Sequence, residues 1–148
     1  MIFGIGTDII EIKRIKKAIS RNPRFIERLF TEHELEYYKK KDMKAQHIAG
    51  GFSAKEAVLK ALGTGLRGFR WKDIEILRVS GGKPIVKFGG NVKQFVEDNG
   101  IGAIHVTISH SKDFATAAAV AEVSTEMESI AIENLLFQSD EESRRNIH

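Results

Sequence analysis

Cysteine is absent from the 148-residue chain, so disulfide frameworks, thiolate zinc sites and cysteine nucleophiles are excluded together. A bound metal ion would have to be held by oxygen or imidazole. The sequence has no His-x-x-x-His or similar spacing, which argues against zinc as well. No apolar run approaches the ~20 residues that a membrane span needs, and the amino terminus lacks the positive region and long apolar stretch of an export signal. The expectation is a soluble cytoplasmic protein with no membrane contact. Internal repeats and low-complexity linkers are missing too, and so are helix-turn-helix, zinc-finger and RNP signatures.

Apolar residues make up 42% of the chain, enough for one cored domain of the usual ~100–150 residues. The net charge of +3 hides an uneven distribution. Residues 1–122 carry 21 basic and 14 acidic side chains, net +7, whereas residues 123–148 carry 2 and 6, net −4. This reads as a domain over 1–122 and an acidic appendage over 123–148. In the appendage Thr125 and Glu128 would cap a helix with Met127, Ile130, Ala131, Asn134 and Leu135 on one face, followed by a frayed polar end. A basic body suits nucleic acid, anionic lipid, an acidic protein or a phosphorylated small molecule, and charge alone does not choose among them.

Hydrophobic periodicity predicts the elements. Phe3 to Ile10 reads as a strand, with Gly4, Gly6, Asp8 and Ile10 on one face. The two glycines leave room for a close neighbour beside a carboxylate. Ile12, Ile15 and Ile19 recur at helical spacing, Asn22-Pro23 opens a short helix through Phe30, and Thr31 with Glu34 forms a capping box for a helix to about Lys40. Ala45 to Leu62 is the longest helix, stopped at Gly63-Thr64-Gly65, with Ile48, Phe52, Leu59 and Leu62 on one stripe. Lys55 lies in the middle of that stripe, so its stem must run toward an anion or toward solvent. Strands at 73–79 and 84–88 around a glycine turn, a helix at 91–99, and strands at 105–109 and 114–121 complete the pattern. The fold class is α+β, with helices in the amino-terminal half and a small antiparallel sheet with one inserted helix in the carboxyl-terminal half.

Several residues could carry chemistry. Asp8, after Gly-x-Gly-x on a strand, suits an oxygen ligand for Mg²⁺ or a cap for the next helix. Glu56 and Lys60 are one helical turn apart, which fits a surface ion pair or, with Lys55 beside them, a site for phosphate and metal. His105, Thr107 and Ser109 project from one strand face and could meet a phosphate or ribose, or be ordinary sheet residues. Lys13, Arg14, Lys16, Lys17, Arg21, Arg24 and Arg28 face one acid, Glu27, as a solvated surface or as a site for an anionic partner.

Taken together, Gly4-Ile5-Gly6-Thr7-Asp8-Ile9, the Phe52 to Lys60 segment with its Lys-Glu-Ala core, Gly63-Thr64-Gly65, Gly82-Lys83-Pro84 and His105 to His110 resemble the 4′-phosphopantetheinyl transferase family of holo-[acyl-carrier-protein] synthases. The order and approximate separations agree over residues 1–122. The resemblance implies transfer of phosphopantetheine from coenzyme A to a serine of an acyl carrier protein, with Mg²⁺ held by Asp8 and Glu56. It places Lys60 at the diphosphate, and Lys55, Gly82, Lys83, Pro84, His105 and Ser109 about the coenzyme. Catalysis would rest on Glu56, Lys60 and Asp8. Arg14, Arg21, Arg24, Phe25 and Arg28 would dock the acidic carrier, in a homotrimer with sites between subunits. The competing reading is a non-enzymatic basic module that binds acidic proteins or nucleic acid. Two positions depart from the family pattern: Gly51 stands where a basic residue is common, and the acidic tail exceeds the compact family length.

Overall fold

In a computed structural model, residues 1–124 are described; the expected appendage helix, from Thr125 onward, lies outside them. The chain runs β1 (Ile2–Glu11), α1 (Ile12–Arg21), α2 (Phe25–Leu29), α3 (Glu32–Lys40), α4 (Ala45–Leu62), β2 (Ile74–Arg78), β3 (Pro84–Phe88), α5 (Gly90–Asp98), β4 (Ile101–His110) and β5 (Phe114–Val123). A single 3₁₀ turn, Trp71–Asp73, precedes β2. The capping box that opens α3 is formed as expected, with Thr31 accepting from the Glu34 N–H. The N-cap of α2 is Arg24 rather than Asn22, which stands three residues before the helix with its Oδ1 accepting from the Arg24 N–H at 3.1 Å. Among the described residues no helix is long and apolar enough to cross a membrane.

The carboxyl-half strands do not form one sheet by themselves. β2 and β3 make a separate antiparallel hairpin, while β4 and β5 are joined by the first strand of the chain in the order β1-β5-β4. In the antiparallel β1–β5 register, Asp8 lies opposite Ala117 and Ile9 opposite Thr116, and Thr116 in turn faces Ser109 of β4. β5 ends at Val123, two residues beyond the expected end of the strand, and its last N–H donates to the Met1 carbonyl at 2.9 Å.

α4 crosses the inner face of this sheet. Its burial is nearly all round: Ile48, Ala54, Ala57, Val58, Leu59, Ala61 and Leu62 are each almost fully enclosed, and Gly50, Gly51, Ser53 and Lys55 are buried as well. A single apolar stripe therefore understates the helix, because its small residues form a second face pressed on the strands. The glycines of β1 make the approach possible. A Cβ at Gly6 would strike the Ala57 carbonyl and come within 2.7 Å of the Ala61 nitrogen, and one at Gly4 would strike the Ala61 carbonyl. Helix and strand thus meet backbone to backbone. One core cluster joins α4 to β2, α5, β4 and β5; a second joins its amino-terminal half to α1, α2 and α3 through Ile15, Leu29, Phe30 and Tyr38.

Candidate active site

The close packing of β1 on α4 brings Asp8 to the helix face that carries Glu56 and Lys60. Asp8 is fixed through its own carbonyl, which accepts from Ser53 Oγ at 3.1 Å and from Thr116 Oγ1 at 2.8 Å. The Lys60 ammonium donates to the Thr7 carbonyl at 2.8 Å and stands 3.4 Å from Asp8 Oδ1. Burial, and then the negative charge of Asp8, push the Glu56 carboxyl above the usual carboxylate range, with Lys60 partly offsetting them.

Asp8 forms part of two open clefts. One, of about 310 Å³, is lined by Asp8, Glu56, Arg14, Ile15, Phe25 and Phe52 among others. The other, of about 380 Å³, is lined by Thr7, Asp8, Ile9, Lys60 and Thr116. Two carboxylates, an ammonium and the first arginine of the basic helices therefore converge from β1, α1 and α4. Arg21, Arg24 and Arg28, on the following turns of α1 and α2, are exposed. Arg28 and Phe25 also line a larger groove of about 660 Å³, walled by Leu29 and by Leu66, Phe69 and Trp71.

Other expected site residues lie elsewhere on the chain. Gly82, Lys83 and Pro84 form the β2–β3 turn, where Arg78 donates to the Gly82 carbonyl at 3.2 Å. His105 and Ser109 are exposed on the outer face of β4, and His105 Nε2 sits 2.9 Å from Glu122 Oε2. None of these lines the Asp8–Glu56 cleft.

Residues 4–119 match the model of the 4′-phosphopantetheinyl transferase superfamily. The chain belongs to that superfamily. It is 56% identical over 124 residues to a holo-[acyl-carrier-protein] synthase of Clostridium botulinum, covering 83% of this chain and 99% of that one. The acyl carrier protein synthase of Plasmodium yoelii with ADP bound superposes with a TM-score of 0.78 at 36% identity, covering 84% of this chain and 98% of the other. The Helicobacter pylori holo-[acyl-carrier-protein] synthase in complex with coenzyme A gives a TM-score of 0.72 at 32% identity, over 80% of this chain and 99% of the other.

One expectation drawn from the superfamily motif needs correction. Lys55 does not present its ammonium to a ligand: the side chain is fully buried, and Nζ lies 2.7 Å from Glu34 Oε1 while donating to the carbonyls of Leu29 and Trp71 at 2.6 and 3.1 Å. Its position on the apolar stripe marks an interior ion pair. Gly51, the departure from the motif, also has a local cause, since the Tyr38 hydroxyl fills the space that a side chain there would take. Thr116 and Ser53 were missed as supports of Asp8. Ser53 lies one turn before Glu56 on α4, a signal that was available; Thr116 is 108 residues from Asp8, and only strand pairing brings the two together.

Proposed function

We propose that this chain is a holo-[acyl-carrier-protein] synthase, acting in fatty acid biosynthesis as a cytoplasmic homotrimer. It transfers 4′-phosphopantetheine from coenzyme A to a serine of an apo acyl carrier protein and releases adenosine 3′,5′-bisphosphate. The transferase domain occupies residues 1–122, with 123–148 as an acidic appendage. The observation that carries the reading is the convergence of Asp8, Glu56 and Arg14 on one cleft beside Lys60, in a chain of this superfamily. A purely docking module has no need of two carboxylates facing each other at the foot of a basic helix.

The donor set fits Mg²⁺. Burial, with the negative charge of Asp8 adding to it, raises the Glu56 carboxyl, and a divalent cation held by the two carboxylates would offset that charge. Among the described residues no third His, Asp or Glu joins the pair in a cluster. Phosphate oxygens and water would complete the coordination of such an ion. Asp8 and Glu56 would hold the ion, which when bound neutralises charge on the diphosphate.

The chain's own residues account for the rest. The carrier serine oxygen forms a bond to the phosphorus that bears pantetheine, and the bridging P–O bond breaks with its electron pair leaving on adenosine bisphosphate. Lys60 binds the departing phosphate, and Glu56 accepts the serine proton, directly or through a bound water. Arg14, Arg21, Arg24 and Arg28 draw in the acidic carrier, and Phe25 gives it an apolar contact. Two features support the homotrimer. Ile5 and Ile9, exposed by 69% and 67%, share the outer sheet face with Phe114. The coenzyme positions His105 and Lys83 also lie away from the protomer's own Asp8–Glu56 cleft, as a site completed by a neighbouring copy requires.

Incubation of apo carrier protein with the chain, coenzyme A and Mg²⁺ should increase the carrier's mass by one phosphopantetheine. An unchanged carrier mass across acidic carriers would overturn the reading.

A further inference from the structure

Among the described residues, the Lys55–Glu34 pair is the one buried ion pair that the transfer chemistry leaves unused. Both side chains are wholly enclosed, with the Phe30 ring centroid 5.0 Å from the ammonium. The ammonium has three donors and the structure uses all of them, on Glu34, the Leu29 carbonyl and the Trp71 carbonyl. Glu34 accepts in turn from the Thr31 N–H at 3.0 Å and the Ile76 N–H at 3.1 Å. Burial pushes the Glu34 carboxyl up and the Lys55 ammonium down, and each charge partly offsets the effect on the other.

The places tied together are telling. Leu29 ends α2, Trp71 opens the 3₁₀ turn before β2, and both line the groove that Phe25 and Arg28 also line. The Phe52 and Trp71 rings, with centroids 5.3 Å apart, carry the same wall to the cleft of Glu56. Lys55 thus fastens both walls of the groove to the helix that bears Glu56, its next neighbour in the chain. Asp8, Glu56 and Lys60 depend on different contacts, namely the β1–α4 packing and the Ser53 and Thr116 hydroxyls.

We infer that Lys55 is a positioning residue for the carrier protein, holding α2 and the 66–71 segment at a fixed setting against α4 so that a docked serine meets Glu56. The inference rests on the carrier-modifying reading above. It separates Lys55 from coenzyme binding, although the residue adjoins Glu56 in sequence.

The test compares Lys55→Met with the double variant Glu34→Gln/Lys55→Met. Readouts are Tm, apparent KM for apo carrier, coenzyme A Kd by calorimetry, and amide hydrogen exchange. In Lys55→Met, Tm falls and the carrier KM rises by about tenfold, because a small misplacement is costly to a docked reaction, while the coenzyme Kd stays within roughly twofold. Exchange rises in residues 25–30 and 66–73 and not in β1. In the double variant Tm recovers because no lone charge remains buried. The carrier KM stays raised, since the Leu29 and Trp71 carbonyls still lack their donor. Recovery of the carrier KM together with Tm, or a coenzyme Kd that weakens as much as the carrier KM, overturns the inference. Should Lys55→Met fail to fold, the double variant alone decides. A wild-type chain that modifies no carrier overturns the functional reading instead, and the exchange pattern still decides whether Lys55 holds the two walls.

Discussion

The ammonium of Lys60 stands 3.4 Å from Oδ1 of Asp8 while donating to the carbonyl of Thr7 at 2.8 Å, so one cation of α4 is seated on two consecutive residues of β1. The side chain is half exposed, and an exposed pair of this kind contributes roughly 0–1 kcal/mol to stability. Its worth lies in where it holds a positive charge.

Lys60→Met should therefore leave Tm nearly unchanged and lower kcat for carrier modification by about 10²-fold, the scale of losing one preorganised charge contact. Steady-state kinetics beside a melting curve checks this; a large fall in Tm with unchanged kcat would reverse the assignment.

Glu56→Gln should abolish transfer and yet stabilise the chain at neutral pH. The folded protein holds the Glu56 proton more tightly than the unfolded chain does. That contribution is complete below the unfolded value of about 4.3 and is lost as pH rises through the raised folded value, leaving the ionised carboxylate as a cost. The Tm of the glutamine variant should exceed that of the wild type at pH 7, with the two converging below about pH 4. A variant less stable than wild type at pH 7 would contradict the repulsion between Asp8 and Glu56.

Gly6→Ala tests the contact that sets the site. Its methyl group would have to displace the Ala57 carbonyl and the Lys60 Cβ, with an overpacking cost of about 1–3 kcal/mol. Denaturant melts should show that loss, and transfer activity should fall with it because Asp8 moves relative to Glu56. Alanine tolerated at wild-type stability would mean that strand and helix are not pressed together.

Reversing the charge of Arg14 and Arg24 should raise the apparent carrier KM several-fold and flatten its rise with salt, leaving that for coenzyme A little changed. Equal effects on both substrates would place these arginines at the coenzyme.

Much of this arrangement was legible in the sequence because it is local. The Gly4-Gly6-Asp8 face, the turn between Glu56 and Lys60, the capping box at Thr31 and the basic run from Lys13 are each written within a few residues. Lys55 was legible by half: its place on the stripe required an anion, but Glu34 lies 21 residues away and already had a complete local role in the capping box. The two-faced burial of α4 was hidden because alanine and glycine carry little hydrophobic signal, while here they permit the closest packing. Strand order was not legible at all. Nothing near Phe3 to Ile10 reports that its partner is the final strand, or that Thr116 steadies Asp8.

That strand order also sets a schedule. β1 precedes every other described element, but its partner β5 is the last described strand, and the hydrogen bond from Thr116 to Asp8 spans 108 residues. At the usual rate of about 5–20 residues per second, the first strand waits roughly 5–20 s before its partner exists. Until then Ile2, Ile5 and Ile9 are available to other edges, and Asp8 has no fixed place. A chain that stops short of β5 therefore carries the residues of the site without the site.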